Sequence, residues 1–334
     1  MRATDILELR PEGLYCPGGD FFIDPQHPVA RALVTHGHGD HCRPGSKALM
    51  ATEHTVAIAR TRYGDGAFER FETAALGESM RIGDVDVRFV PAGHVLGSAQ
   101  VIIEQAGKRA IISGDYKRAH DPTCLPFEPV PCDLFVTEAT FGLPVFRHPP
   151  LQGELDRLMA SLTAFPERCH VIGAYALGKA QRMIAELRMR GYDRPIWIHG
   201  ALLKLTTLYE ELGVPMGEIR QVMASDKKDL AGEIVIAPPS ALQDRWARRL
   251  PDPLPVGASG WMQVRARARQ RRVELPLIVS DHCDWDALCT TIKEVQAETV
   301  WVTHGAEEAL VHWCQQQGLN AAPLSIAGLG EEED

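Results

Sequence analysis

One six-residue segment, HGHGDH at positions 36–41, constrains this chain more than any other feature. Imidazole nitrogens and carboxylate oxygens are ligands that suit zinc and similar divalent ions. Residues two apart in an extended loop point the same way, so His36 and His38 can hold one ion. Asp40 and His41 can then turn to a second ion, because the two intervening glycines let the backbone bend tightly. The segment therefore predicts a site for two metal ions; the alternative is a histidine-rich surface loop.

Further potential ligands follow other apolar segments that are predicted as strands. Alternating apolar residues predict a strand over 85–90, and the apolar run at 109–113 leads into a Gly-Asp pair. One such histidine or aspartate alone is structural more often than functional, but the HGHGDH segment reverses that balance. Loops at strand ends commonly carry the catalytic residues of α/β enzymes. The residues at these ends are Asp24, His94, Asp115, Glu138, His282 and His304.

The pattern changes after Gly142. Apolar residues at helical spacing over 152–164 and 178–190 alternate with strand-like segments at 169–175 and 195–200. Strands that alternate with helices are typical of a parallel sheet. The chain is therefore predicted to be an α/β protein with a second, parallel-sheet unit.

Several motifs together resemble a known fold family. HGHGDH, GHVLGSA at 93–99 and SGD at 113–115 resemble the metallo-β-lactamase hydrolase fold. TEATFG, GAYALGKAQ, SDHCD and THGAEE resemble its nuclease branch with an inserted β-CASP domain, and look closest to the bacterial ligase-associated DNA exonuclease group. The resemblance implies an αββα sandwich built from residues 1–141 and 276–334, with a β-CASP cap at 142–275.

The resemblance also implies a role for each matching residue. Asp24 matches the structural aspartate of the family, and Asp115 would bridge two zinc ions, with manganese as an alternative metal. Water activated by both metals would attack phosphorus. His282, oriented by Glu138, would then protonate the departing oxygen. The implied ligands are His36, His38 and His94 for one ion and Asp40, which also counts as catalytic, His41 and His304 for the other.

The charge balance bears on the substrate. With 35 Lys and Arg against 44 Asp and Glu, the formal net charge is −9, a mild argument against nucleic acid. Two divalent ions would, however, add +4 beside the two ligand aspartates.

Two basic features could bind phosphate. Arg265, Arg267 and Arg269 alternate with small residues, so a strand here would align them as a track for a nucleic-acid backbone, or as a solvated edge. Lys179 at a predicted helix start could hold a phosphate, or could simply belong to a strand–helix turn.

The function predicted from these features is two-metal hydrolysis of nucleic-acid phosphodiesters. DNA exonuclease activity in repair, 5′ to 3′, is favoured, with a functional link to a DNA ligase and a helicase. GHVLGSA and His304 look more like the RNA-processing branch, so an RNase of the mRNA 3′-end processing type is the alternative. An inactive zinc-binding scaffold and a hydrolase of small thioesters or lactams are further alternatives.

Location is predicted from what the sequence contains. No apolar run reaches the ~20 residues of a membrane span, and the segment MRATDILELR is charged where a signal peptide is apolar. The eight cysteines include no Cys-x-x-Cys pair and are expected to be reduced. We therefore expect a cytoplasmic protein, with the acidic residues 330–334 as a solvated tail.

Overall fold

The chain folds into two compact units. Residues 1–147 and 282–324 form the first, which we call the sandwich unit, and residues 148–281 form the inserted unit. The acidic residues 330–334 lie outside the described part of the chain. The computed structural model describes residues 1–223, 225–226 and 229–324.

Both boundaries between the units lie six residues beyond the predicted ones, at 147 and 281 in place of 141 and 275. The segment after residue 141 stays with the sandwich unit because the Phe146 ring lies 5.1 Å from that of Phe141. The carbonyl of Phe146 also accepts a hydrogen bond from the Trp285 amide.

The first sheet of the sandwich unit takes its six strands in chain order. Its first three strands are antiparallel and the third to sixth are parallel. Helix α1 (Glu53–Tyr63) follows the fifth strand, and the Thr52 side chain caps it. The strands are β1 (Glu8–Arg10), β2 (Gly13–Cys16), β3 (Phe21–Ile23), β4 (Arg31–Leu33), β5 (Ala48–Thr52) and β6 (Arg70–Ala74).

The second sheet has seven strands, in the order β19-β18-β11-β10-β9-β8-β7. They are β7 (Ser79–Ile82), β8 (Val85–Pro91), β9 (Ala99–Gln105), β10 (Lys108–Ile112), β11 (Leu134–Ala139), β18 (Thr299–Gly305) and β19 (Asn320–Pro323), with helices α6 (Trp285–Glu294) and α7 (Glu307–Gln316). Strand β18 is parallel to β11 although about 160 residues separate them in the chain. The carboxyl ends of β10, β11 and β18 therefore lie along one edge of the sheet.

The two sheets share one apolar core, to which Leu33 and Ile112 belong. The outer face of the first sheet packs on α1 through Val56, and that of the second packs on α6 and α7 through Leu288 and Leu310. Successive residues of a strand face opposite sides, so strands covered on both sides are apolar throughout. This arrangement confirms the predicted αββα sandwich.

The inserted unit contains one parallel sheet, as predicted. Its order is β14-β13-β15-β12-β16-β17. In the described part of the chain, every helix is too short or too polar to cross a membrane. The strands are β12 (Cys169–Gly173), β13 (Ile196–Ile198), β14 (Ile219–Gln221), β15 (Ile234–Ala237), β16 (Pro253–Ala258) and β17 (Leu275–Leu277); the helices are α2 (Leu151–Ala164), α3 (Lys179–Met189), α4 (Gly200–Glu211) and α5 (Arg265–Gln270).

The arginine segment is a helix and not the predicted strand. Helix α5 lies in the connection between the parallel strands β16 and β17, where the chain must cross over between two parallel strands. Alanine and arginine are both strong helix formers, and only Ala268 of this helix is buried. The prediction of a strand was wrong because the alternation of small and charged residues was taken for a strand pattern.

Candidate metal centre

Four ligand side chains converge at one edge of the sandwich unit. One ligand atom from each of His36, His38, His94 and Asp115 lies within 4.8 Å of the others, and all four residues are buried. The Nδ1 atom of His38 lies 3.1 Å from His36 Nε2 and 3.0 Å from His94 Nε2. These four residues lie in the loops after β4, β8 and β10, so residues that are far apart in sequence meet at this edge.

A second group of ligand atoms adjoins the first. Asp40, His41 and His304 also have ligand atoms within 4.8 Å of one another, and the two imidazole rings stack at 5.0 Å. Asp115 Oδ2 lies 3.4 Å from His41 Nε2 and 3.5 Å from His36 Nε2. The Asp115 carboxylate therefore lies between the two groups, where a bridging ligand would be placed.

The hydrogen bonding of these atoms tests whether they fit metal ions. Among the described residues, four buried atoms of the two groups have no hydrogen-bond partner: Asp40 Oδ1, His41 Nε2, Asp115 Oδ1 and His304 Nε2. A buried polar atom without a partner costs ~1–3 kcal/mol. Four such atoms close together are what bound cations would satisfy. Nitrogen and carboxylate donors in this arrangement fit two divalent cations.

Asp24 orients His41, a member of the second group. Its Oδ2 accepts a hydrogen bond from His41 Nδ1 at 2.7 Å, which leaves Nε2 of that ring for a cation. Thr35 holds the same carboxylate through its amide at 2.8 Å and its hydroxyl at 2.6 Å. Asp24 is thus the partner that selects the tautomer of His41.

The electrostatics of the site keep its ligands in binding form. Burial lowers the pKa of His36 to about 4 and holds the pKa of His94 well below its ordinary value, so both rings are neutral. Burial would also lower the pKa of His41, but the carboxylates of Asp115, Asp40 and Asp24 outweigh it and raise that pKa. Cation binding at His41 therefore displaces a proton.

Both aspartates of the site are ionised. Burial would raise the pKa of Asp115, but the charges of His41 and His282 hold it well below its ordinary range. For Asp40, burial would likewise raise the pKa, but the charge of His41 outweighs it and the pKa is lowered. Ionised carboxylates are the form that binds a cation.

His282 and Glu138 form a pair beside the first group. His282 Nδ1 lies 2.9 and 3.0 Å from the two oxygens of the Glu138 carboxylate, which also accepts the Tyr116 amide at 2.9 Å. Glu138 is buried, whereas the His282 side chain is 22% exposed and its ring lies 4.8 Å from that of His94. Because a carboxylate only accepts, Nδ1 of His282 carries the proton in this hydrogen bond.

The predicted phosphate-binding residues lie in the inserted unit. Arg265, Arg267 and Arg269 are on α5, where the Arg267 guanidinium lies 3.8 Å from the centre of the Trp261 ring. Lys179 is only 4% exposed, and its Nζ lies 3.2 Å from Asp281 Oδ2. The structure thus engages Lys179 in a buried ion pair, not at a surface where phosphate would bind.

Sequence reasoning missed several residues that hold the ligand loops. The Arg62 side chain donates to the Gly37 carbonyl at 2.6 Å, and the Gln26 amide donates to the Asp40 carbonyl at 3.1 Å. Lys117 and Asp121 form a buried ion pair close to His94. Only the position of Lys117 two residues after Asp115 could have drawn attention to it; the others carry no sequence signal.

The sequence was compared with family models and with known proteins. No family model matches the sequence. The chain is 26% identical over 312 residues to a probable DNA ligase of Opitutus terrae, which covers 92% of this chain and 30% of that protein. It is 26% identical over 211 residues to an RNase J-like protein of Methanocaldococcus jannaschii, or 54% of this chain and 50% of that protein.

A third relative is subunit 3 of the cleavage and polyadenylation specificity factor of Dictyostelium discoideum, 32% identical over 125 residues, or 36% of this chain and 16% of that protein. The chain thus spans half or less of the length of these relatives. A solved structure of a protein of unknown function from Enterococcus faecalis V583 shares the fold, with a TM-score of 0.60 over 90% of this chain and 80% of that chain at 13% identity.

The fold and the site define a class of proteins, namely αββα sandwich proteins with an inserted parallel-sheet unit and a candidate two-metal centre. Within that class, these relatives support the resemblance of the chain to the β-CASP nucleases of the metallo-β-lactamase fold.

Proposed function

We propose that this protein is a two-cation nuclease that hydrolyses nucleic-acid phosphodiesters. The observation that carries the proposal is the pair of ligand groups that meet at Asp115, with the His282–Glu138 pair next to them. Two divalent cations bound there, most simply zinc, would activate water for attack and would offset the charge that develops on phosphorus.

The residues of the chain divide the remaining work. His36, His38 and His94 would hold one cation and Asp40, His41 and His304 the other, with Asp115 shared. His282 would donate its Nε2 proton to the departing sugar oxygen, and the Glu138 carboxylate would stabilise the positive imidazolium before that transfer.

The basic surface of the inserted unit supports a polyanionic substrate. This unit holds 19 Lys and Arg against 15 Asp and Glu, a net charge of +4, whereas the rest of the chain carries −13. Within the described residues, none of the eight arginines between 245 and 272 forms an ion pair, and Arg265 and Arg269 are exposed. Guanidinium groups without acidic partners are available to bind phosphate oxygens bidentately.

We favour DNA as the substrate and repair as the context, with a functional link to a DNA ligase and a helicase. The support is that the match to a protein named as a probable DNA ligase extends over 92% of this chain. RNA is the second candidate, because the RNase J-like relative and the cleavage and polyadenylation relative match over shorter stretches.

Degradation of matched single-stranded DNA and RNA tests the proposal. Each strand is labelled at the 5′ or the 3′ end and incubated with the protein and either zinc or manganese. We expect faster loss of DNA, and 5′-to-3′ action releases the 5′ label at once as a mononucleotide. Faster loss of RNA would establish the RNA-processing alternative. Loss of neither strand, from a protein that binds two cations, would indicate an inactive scaffold.

A further inference from the structure

A lysine and an aspartate form an ion pair inside the sandwich unit, close to the first ligand group. The side chains of Lys117 and Asp121 are 1% and 3% exposed, and their Nζ and Oδ2 atoms are 2.5 Å apart. Lysine is almost never buried to this degree without a partner, and withdrawing an ammonium from water is costly. A pair this deeply buried therefore calls for a specific role.

The lysine connects two of the loops that supply ligands. It lies two residues after Asp115, and its Nζ donates to the carbonyl of His94 at 3.4 Å. Its amide also donates to the Ala92 carbonyl at 3.2 Å. The main chain at Gly93 is very close to the main chain at Lys117. A Cβ on Gly93, which has a φ of +75°, would lie 2.4 Å from the Lys117 carbonyl oxygen.

The aspartate is itself held in one position. Its second oxygen, Oδ1, accepts hydrogen bonds from the Thr123 amide at 2.8 Å and from the Thr123 hydroxyl at 2.6 Å. The carboxylate consequently cannot rotate away from the ammonium without losing both bonds. A continuous chain of contacts runs from Thr123 through Asp121 and Lys117 to the main chain of His94.

We propose that Lys117 and Asp121 are positioning residues for the first ligand group. The ammonium holds the loop of His94 at a set distance from Asp115, so that one cation can bind both. The carboxylate cancels the positive charge that would otherwise repel a cation nearby. This inference rests on the proposed two-cation site, but not on the nature of the substrate.

A double substitution separates positioning from fold stability. Replacing both members of a buried pair with apolar residues is often tolerated by the fold, whereas removing one leaves an uncompensated charge. The variant K117M/D121L therefore removes the tether without leaving a buried charge. A matched control is K108M/D133L, since Lys108 and Asp133 form a more exposed pair at 2.7 Å in the same unit.

The experiment measures zinc affinity in competition with a chromophoric chelator, without nucleic acid. Loss of a partner that orients a metal ligand typically costs ~10–100-fold in affinity. We expect K117M/D121L to lose that much at one of two sites and to keep the other, while the control binds zinc like the parent. The Asp121→Asn variant keeps the ammonium and loses its counter-charge, so its affinity at that site should also fall.

Circular dichroism and thermal unfolding of the cation-free variants show whether they fold. If K117M/D121L does not fold, Thr123→Val removes one bond to Asp121, and a loss of a few-fold at one site is expected in its place. Parent-like affinity in the folded double variant, or in Thr123→Val when the double variant is unfolded, overturns the inference.

A parent that binds no zinc overturns this inference and the proposed site together. A parent that binds two ions but cleaves no nucleic acid overturns only the proposed nuclease, and the affinities still decide the role of the pair.

Discussion

The two units of this chain carry opposite charge and place it differently. The sandwich unit contributes most of the −13 found outside the inserted unit, and the carboxylates of its site are buried or half-buried next to imidazoles. The inserted unit has a net charge of +4, and eight of its arginines form no ion pair within the described residues. The net charge of −9 for the whole chain does not reveal this difference. The separate charges of the two units are therefore more informative.

The difference assigns separate tasks to the two units. Buried carboxylates and neutral imidazoles suit the binding of cations, whereas exposed guanidinium groups suit the binding of phosphates. Substitutions in the sandwich unit should therefore change metal content or chemistry, and those in the inserted unit should change affinity for the nucleic-acid backbone.

Asp115→Ala should have the largest effect, because the carboxylate lies between both ligand groups. We expect binding of both cations to weaken and activity to fall by more than the ~10²-fold typical of an orienting partner. Metal analysis and cleavage of a small phosphodiester measure the two losses. The retention of two tightly bound ions would contradict the bridging assignment.

His282→Ala separates chemistry from metal binding within the sandwich unit. A general acid contributes ~10²–10⁴-fold when the leaving group is a poor one, such as a sugar alkoxide. Nucleic-acid cleavage should fall by that factor, while bis-nitrophenyl phosphate, whose leaving group needs no proton, is hydrolysed nearly as before. Metal content should not change.

Two controls accompany the His282 variant. His304→Ala should lose both activities through loss of a ligand, and His312→Ala, on the exposed side of α7, should lose neither. Equal losses on both substrates with two bound ions would show that His282 is not the acid. Loss of an ion would instead make it a ligand.

The triple variant R265A/R267A/R269A tests the inserted unit. Each lost phosphate contact flattens the slope of log affinity against log salt by ~0.7 on a single strand, so binding should weaken for all sequences alike. Hydrolysis of bis-nitrophenyl phosphate should be unchanged. A matched control replaces Arg157, Arg190 and Arg220, which are paired with Glu154, Asp156 and Glu218. Equal salt slopes in the parent and the triple variant would show that the arginines of α5 are solvated and do not contact the substrate.

Lys179→Gln should have the smallest effect on binding. Because Lys179 is buried against Asp281, we expect an unchanged salt slope and a free energy of unfolding lower by ~1–3 kcal/mol. Denaturant unfolding and binding titrations measure the two quantities. A flatter salt slope with unchanged stability would show that Lys179 contacts the substrate and that the ion pair opens.

The strand ends show how far local sequence can predict the site. A strand followed by histidine or aspartate is a local pattern, so the donors of both ligand groups could be proposed without a structure. The parallel sheet of the inserted unit was predictable for the same reason, since strands and helices alternate along the chain. The helix at 265–270 was not, because spacing two apart in a short segment is compatible with a strand as well as a helix.

The residue types of this chain determined the chemistry, because imidazoles and carboxylates after apolar strands can bind cations wherever they meet. Only the tertiary structure decided which of them meet. Strand order places β10, β11 and β18 side by side and so brings Asp115, Glu138 and His304 to one edge of a sheet. It also buries Lys179 on Asp281, since the partner of this buried charge is supplied by packing between segments that are far apart in the chain.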